Sequence, residues 1–189
     1  MVLKKIFFLI SILFFVNFHG AFAETIDLDQ DKSKLTYTLT QFGIPFKRKP
    51  LPASGNLQIE KRVISSEKTL LCLQGIDLKA RFVSKNPFFR KVINFDKYPE
   101  LAFQAGPECQ IELKNLEPID FTGNLTFHGI TKEINVELKP EITDKCIFFT
   151  GYLKIYMTDF GIKPPRILFL SVDNLIKTKI EIYSQLSGM

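Results

Sequence analysis

Ile119-Asp120-Phe121-Thr122-Gly123-Asn124-Leu125-Thr126-Phe127 alternates residue by residue: Ile119, Phe121, Gly123, Leu125 and Phe127 are apolar or small, and Asp120, Thr122, Asn124 and Thr126 are polar. Successive side chains of a strand point to opposite faces, so this spacing makes a ribbon with one oily side and one wet side. His128-Gly129 follows, a two-residue connection suited to a hairpin turn. The alternation then resumes, with Ile134, Val136 and Leu138 against Glu133, Asn135, Glu137 and Lys139.

The same period extends in both directions. Downstream, Ile147, Phe149, Gly151, Leu153, Ile155 and Met157 alternate with Phe148, Thr150, Tyr152, Lys154 and Tyr156, so the outer side is partly aromatic. The last run sets Ile176, Ile180, Ile182 and Leu186 against Lys177, Lys179, Glu181 and Tyr183. Upstream, Leu101, Phe103, Ala105, Cys109, Ile111 and Leu113 form a long run with a bend expected at Gly106-Pro107. Leu35, Tyr37 and Leu39 alternate with Thr36, Thr38 and Thr40, and Leu57, Ile59 and Val63 make a weaker run. Residues 69–78 are apolar on both sides and show no single phase.

These eight runs, mostly joined by short turns, predict an all-β, eight-stranded antiparallel meander that closes into an extended barrel. Two interruptions, Lys79–Glu100 and Phe160–Ser171, are expected to form short helical or looped caps over one end. No internal repeat or linker divides the chain, so residues 24–189 are expected to be one domain.

Residues 1–23 have a different character. Lys4 and Lys5 precede an apolar run from Ile6 to Phe18, and Ala21-Phe22-Ala23 places small residues where a signal peptidase cuts. Crossing a bilayer takes roughly 20 apolar residues, so this shorter run predicts export with cleavage after Ala23, into the periplasm or beyond. The signal would remove two lysines and no acid from a net charge of +5. The remaining chain is mildly basic, far from the concentrated positive footprint of a nucleic-acid binder. It would keep one imidazole, His128, which argues against multi-histidine metal sites.

Three stretches carry a family resemblance: Leu125-Thr126-Phe127-His128-Gly129-Ile130-Thr131-Lys132-Glu133, then Phe88-Phe89 with Lys97-Tyr98-Pro99-Glu100-Leu101-Ala102-Phe103, then Asp159-Phe160-Gly161-Ile162. In order and spacing they resemble the YceI-like family of exported bacterial proteins, over essentially residues 24–186, including Asp27, Ser33 and Val172-Asp173. The resemblance implies an extended lipocalin-like barrel whose lumen holds a long amphiphile, a polyisoprenoid or isoprenoid quinone. Lys32 and Gln41 stand where the family often has histidine, and Lys47-Arg48-Lys49-Pro50-Leu51-Pro52 replaces its usual approach to the second strand. Head-group recognition is therefore the feature that transfers least.

Closure alone does not prove a cavity, because eight strands enclose a space that side chains can fill. Gly123, Gly151 and Ala105 at inward positions would remove volume beside Phe103, Phe121 and Phe149, yet the same residues can interdigitate. If the lumen is open, its expected lining is Tyr37, Leu39, Phe88, Phe89, Phe103, Phe121, Leu125, Phe149, Leu153 and Phe160. Lys47-Arg48-Lys49 is expected to be a solvated loop, with a pyrophosphate or an anionic membrane surface as the alternative partner.

His128 fits a turn role, and Asp159 a turn cap, since neither has the partners that catalysis requires. No catalytic residue, metal or required cofactor is expected. Cys72 and Cys109 are the favoured pair for one disulfide, with Cys146 left over, and three free thiols are the alternative. Three functions follow from different classes: a lipid carrier, a filled barrel acting through the outer face of Phe148, Tyr152 and Tyr156, and an enzyme on a bound lipid. Oligomeric state, homodimer included, is left open.

Overall fold

Alternation becomes strand throughout the computed structural model, which describes residues 24–41, 43–47, 49–63, 69–82, 87–106, 109–112, 116–143, 145–167 and 170–186. The strands are β1 (Glu24–Asp27), β2 (Lys34–Gln41), β3 (Ile44–Lys47), β4 (Leu51–Val63), β5 (Thr69–Arg81), β6 (Glu100–Ala105) and β7 (Cys109–Glu112). They continue with β8 (Ile119–Phe127), β9 (Ile130–Ile142), β10 (Cys146–Tyr156), β11 (Arg166–Ile167) and β12 (Leu170–Gln185). One helix, α1 (Pro87–Ile93), and a 3-10 turn, Met157–Phe160, complete the described elements. Neither is long and apolar enough to cross a membrane.

Hydrogen bonding runs β4-β2-β12-β10-β9-β8-β6-β5, and the pairing of β5 with β4 closes the path into an eight-stranded antiparallel barrel. β8 and β9 pair from Phe127↔Ile130 to Ile119↔Leu138. His128 and Gly129 between them have φ of 51° and 76°, the double positive φ of a tight hairpin that follows the strand twist. The long run from Leu101 breaks after Ala105 and resumes at Cys109, and both pieces, β6 and β7, pair with β5.

The missing phase of residues 69–78 has a physical cause. Register shifts between Gln58 and Ile59, which face Gly75 and Leu73, so Gln74 is an extra residue in β5. A bulge of one residue exchanges the two faces. Leu71 and Leu73 enter the core before it, and Ile76, Leu78 and Ala80 after it. Leu70 and Cys72 are buried on the other face, beside Glu60, whose Oε2 accepts a 2.8 Å hydrogen bond from Gln74 Nε2.

That register also overturns the expected disulfide. Cys72 faces Gln110, and Cys109 faces Leu73. A one-residue offset sends neighbouring side chains to opposite faces, and Cys72 and Cys146 are free thiols. The side chain of Cys109 lies outside the described residues.

β1 and β2 lie end to end along β4 and β12, separated by a turn at Asp29–Lys32. Asp29 Oδ1 accepts the amides of Asp31 and Lys32 at 3.1 and 3.2 Å. The buried Ser33 hydroxyl then replaces the interrupted ladder: it donates to the Tyr183 carbonyl at 3.1 Å and accepts the Tyr183 amide at 2.9 Å. Ser184, also buried, donates to the Asp27 carbonyl.

The small inward residues do not open a tunnel. A Cβ on Gly123 would stand 2.7 Å from Phe103 Cζ and 2.6 Å from the Gln104 carbonyl, and one on Gly151 would stand 2.4 Å from Leu138 Cδ2. Each glycine makes room for a side chain of the neighbouring strand. Phe121 and Phe149 meet edge to face, with centroids 6.4 Å apart. This part of the barrel is solid, as close packing favours wherever complementary side chains can meet.

Candidate functional site

The other end of the barrel differs. Here β2, β4, β8, β10 and β12 bring Leu35 and Tyr37, Leu51, Phe127, Ile155, and Ile176 with Thr178 around a small cavity, joined by Phe82 just past the end of β5 and closed by Ile93 of α1 and Leu101 of β6. Its volume is about 20 Å³, a little more than one water requires, about 10–15 Å³. Its walls are hydrocarbon and ring carbon; Tyr37 and Thr178 are the lining residues that bear a hydroxyl.

Aromatic rings plug the space. Phe82 stacks on Phe95 at 4.9 Å with planes 7° apart, tilts against Phe127 at 5.4 Å, and takes the edge of Tyr37 at 6.1 Å. Phe127 in turn meets Phe160 at 5.6 Å. α1 reaches over the mouth because Pro87 supplies a preset φ at its start and Asn94, at φ 51°, ends it in a left-handed step. The buried Ile93 and Phe95 then point down into the plug.

The three sequence stretches singled out above converge here as a clasp. His128 Nδ1 hydrogen-bonds the Phe160 carbonyl at 3.0 Å. Tyr98 packs on the His128 ring at 4.6 Å and lies so close to Gly129 that a Cβ there would stand 2.4 Å from its ring. Gly161, at φ 69°, closes the 3-10 turn, with Ile130 beside it. His128 therefore has the turn role expected of it. Asp159 is exposed, and the side chain that takes the turn's leading amide is Asn174, whose Oδ1 accepts from Thr158 at 3.0 Å.

Of the residues expected to line a lumen, Tyr37 borders the cavity. Leu39, Phe103, Phe121, Leu125, Phe149, Leu153 and Phe160 are buried in the packed core. Phe88 and Phe89 fall in α1, but their side chains lie outside the described residues, as do Arg48 and the side chain of Lys47; Lys49 is exposed. Leu35, Leu51, Phe82, Ile93, Leu101, Phe127, Ile155, Ile176 and Thr178 are cavity residues that sequence reading passed over. Most of those on strands are inward positions close to the capped end, a signal available by counting back from the interruptions. No three His, Cys, Asp or Glu side chains among the described residues could share a metal ion.

A protein-family model for the YceI-like domain matches residues 26–187. The chain belongs to the YceI-like family. Comparison with curated proteins gives no match. Among solved structures, a polyisoprenoid binding domain from Saccharophagus degradans implicated in plant cell wall breakdown is similar, with TM-score 0.65 and 13% identity over 88% of this chain and 100% of that one. BcnA of Burkholderia cenocepacia is similar too, with TM-score 0.58 and 14% identity over 82% and 98% of the two chains. At such identities the shared property is the barrel. In this YceI-like chain the family stretches form the clasp over its mouth.

Proposed function

We propose that this YceI-like protein is an exported, non-enzymatic carrier that buries the hydrocarbon chain of an amphiphilic lipid, of the polyisoprenoid or isoprenoid quinone type, inside the capped end of the barrel. The observation that carries the reading is the cavity wall: hydrocarbon and aromatic carbon from six strands, Phe82 and α1, converging beneath a cap. Such a surface suits burial of a chain better than cleavage of a bond. The polyisoprenoid binding domain of similar fold supports the ligand class, and the leader at residues 1–23 supports export.

Drug-sized ligands occupy pockets of roughly 300–1,000 Å³, so entry requires Phe82, Ile93 and α1 to move aside. Exposing two such side chains costs about 3–6 kcal/mol, while each buried methylene-sized group returns about 0.8 kcal/mol. One isoprene unit therefore offsets much of the opening, and two or three make it favourable. A head contact, at about 1.5–3 kcal/mol, orients the lipid rather than holding it.

Organic extraction of natively purified protein followed by mass spectrometry tests this reading. A near-stoichiometric isoprenoid lipid is expected; protein from the native host that carries none would sink it. The solid packing around Gly123 and Phe121 favours a second reading, a barrel that works through its outer face. That reading predicts an empty extract.

A further inference from the structure

On the outer wall near the capped end, Lys154 of β10 stands directly opposite Lys177 of β12, both exposed. Like charges facing each other across strands cost stability. Their partners on β12 and β2 are not acidic: Tyr152 faces Lys179, Tyr156 faces Leu175, and Thr38 of β2 lies on the far side of Lys177, while on β9 the exposed Glu137 faces Tyr152. Lys179 is already paired with Glu181 at 2.9 Å. The two tyrosines are 71% and 47% exposed.

One strand further round, the hairpin of β2 and β3 rises past the rim. Phe46 faces Leu39, and Ile44 faces Gln41. They continue outward the row that Leu35, Tyr37 and Leu39 send into the barrel, yet Ile44 is 58% exposed and Phe46 45%. Lys49 follows, also exposed. Beyond the 3-10 turn, Lys163 and Arg166 add exposed cations to the same end, against exposed Asp159 and Asp173.

We propose that this sector of the rim, built by β3, β2, β12 and β10, is the face that docks onto an anionic lipid bilayer. Lys154 and Lys177 meet lipid phosphates, Tyr152 and Tyr156 sit at headgroup level, and Ile44 with Phe46 enters the acyl boundary. Facing lysines with no acid between them fit a dense anionic surface, and amphipathic tyrosines beside an aliphatic tip are the composition that settles at a membrane interface. The face adjoins the mouth of the apolar cavity, so docking would present that mouth to the lipid it exchanges. The inference extends the carrier reading and rests on it for its biological sense.

Cosedimentation of the exported, processed chain with phosphatidylglycerol/phosphatidylethanolamine vesicles, and with phosphatidylcholine vesicles, tests it. Binding to the anionic vesicles alone, weakened by added salt, is expected. Each cation near an anionic surface is worth about fivefold in partitioning, so Lys154→Glu/Lys177→Glu should lose about twentyfold or more. Ile44→Ser/Phe46→Ser should lose binding at high salt first, and Lys139→Glu, on the outer wall away from this sector, should bind as the unaltered chain does. If the glutamate pair fails to fold by circular dichroism, Lys154→Gln/Lys177→Gln gives the same reading with a smaller loss.

Equal binding to both vesicle types, no binding to either, retention by both double variants, or self-association through this face in place of vesicle binding would each overturn the proposal. Organic extracts of the same preparations keep the two ideas apart. Vesicle binding without cargo defeats the carrier and spares the docking face; cargo without vesicle binding does the reverse.

Discussion

At the scale of single residues, the chemistry outside the barrel is concentrated at Cys146. The Thr143 hydroxyl, 3.0 Å from Sγ, and then the Tyr183 hydroxyl hydrogen-bond the sulfur, with Lys32 adding a positive charge, and together they hold the thiol below its usual range against the opposing effect of desolvation. A lowered pKa means thiolate at lower pH, and thiolate is the form that is alkylated. Cys146 should therefore react with iodoacetamide with a pH midpoint below that of a free cysteine peptide, while buried Cys72 reacts only on unfolding. Peptide mapping after labelling across the pH range would show this. Superimposable profiles for Cys146 and the free peptide would remove the effect. Gly123 shows how the same scale governs the core: the missing Cβ is the space Phe103 fills, which composition alone could not separate from an opening.

At the scale of elements, the clasp joins three segments distant in sequence through one imidazole and one phenol. Replacing His128 by Ala removes its bond to the Phe160 carbonyl and its contact with Tyr98, and puts a Cβ residue without a compensating side-chain bond at φ 51°. A loss of about 1–2 kcal/mol is expected, read by urea unfolding. Exchange of the amides at 157–162 should quicken more than that of β10, because the turn loses its tether while the ladder keeps its own bonds. Uniform quickening would mean that the clasp is not a separate unit. α1 belongs to the same argument: its seven residues are too few to be stable alone, so its position rests on Ile93 and the adjoining Phe95 fitting among the rings below.

At the scale of the whole molecule, cargo and stability are linked. A lipid that binds the folded barrel alone should raise unfolding free energy by about 2.7 kcal/mol at a hundredfold excess over its dissociation constant. Thermal melts of delipidated and reloaded protein would display the shift. An unchanged melting temperature, with lipid bound by mass, would place the lipid outside the fold.

Much of this architecture was legible beforehand, because period two is written locally. The hairpin at His128-Gly129, the alternating faces of β8, β9, β10 and β12, and the capped interruptions follow from neighbours one and two residues apart. Three features were decided only when distant segments met. The bulge at Gln74 moved Cys72 off the face of Cys109 by one residue, and that count depends on the partner strand. The filling beside Gly123 and Gly151 depends on which ring arrives from the next strand. The cavity under α1 lies where Phe82, Ile93 and Phe127 fail to close the last gap. Pattern along a chain determines which side of a ribbon turns inward; how much room remains once those sides meet depends on volumes contributed by residues far apart, and no local spacing encodes that sum.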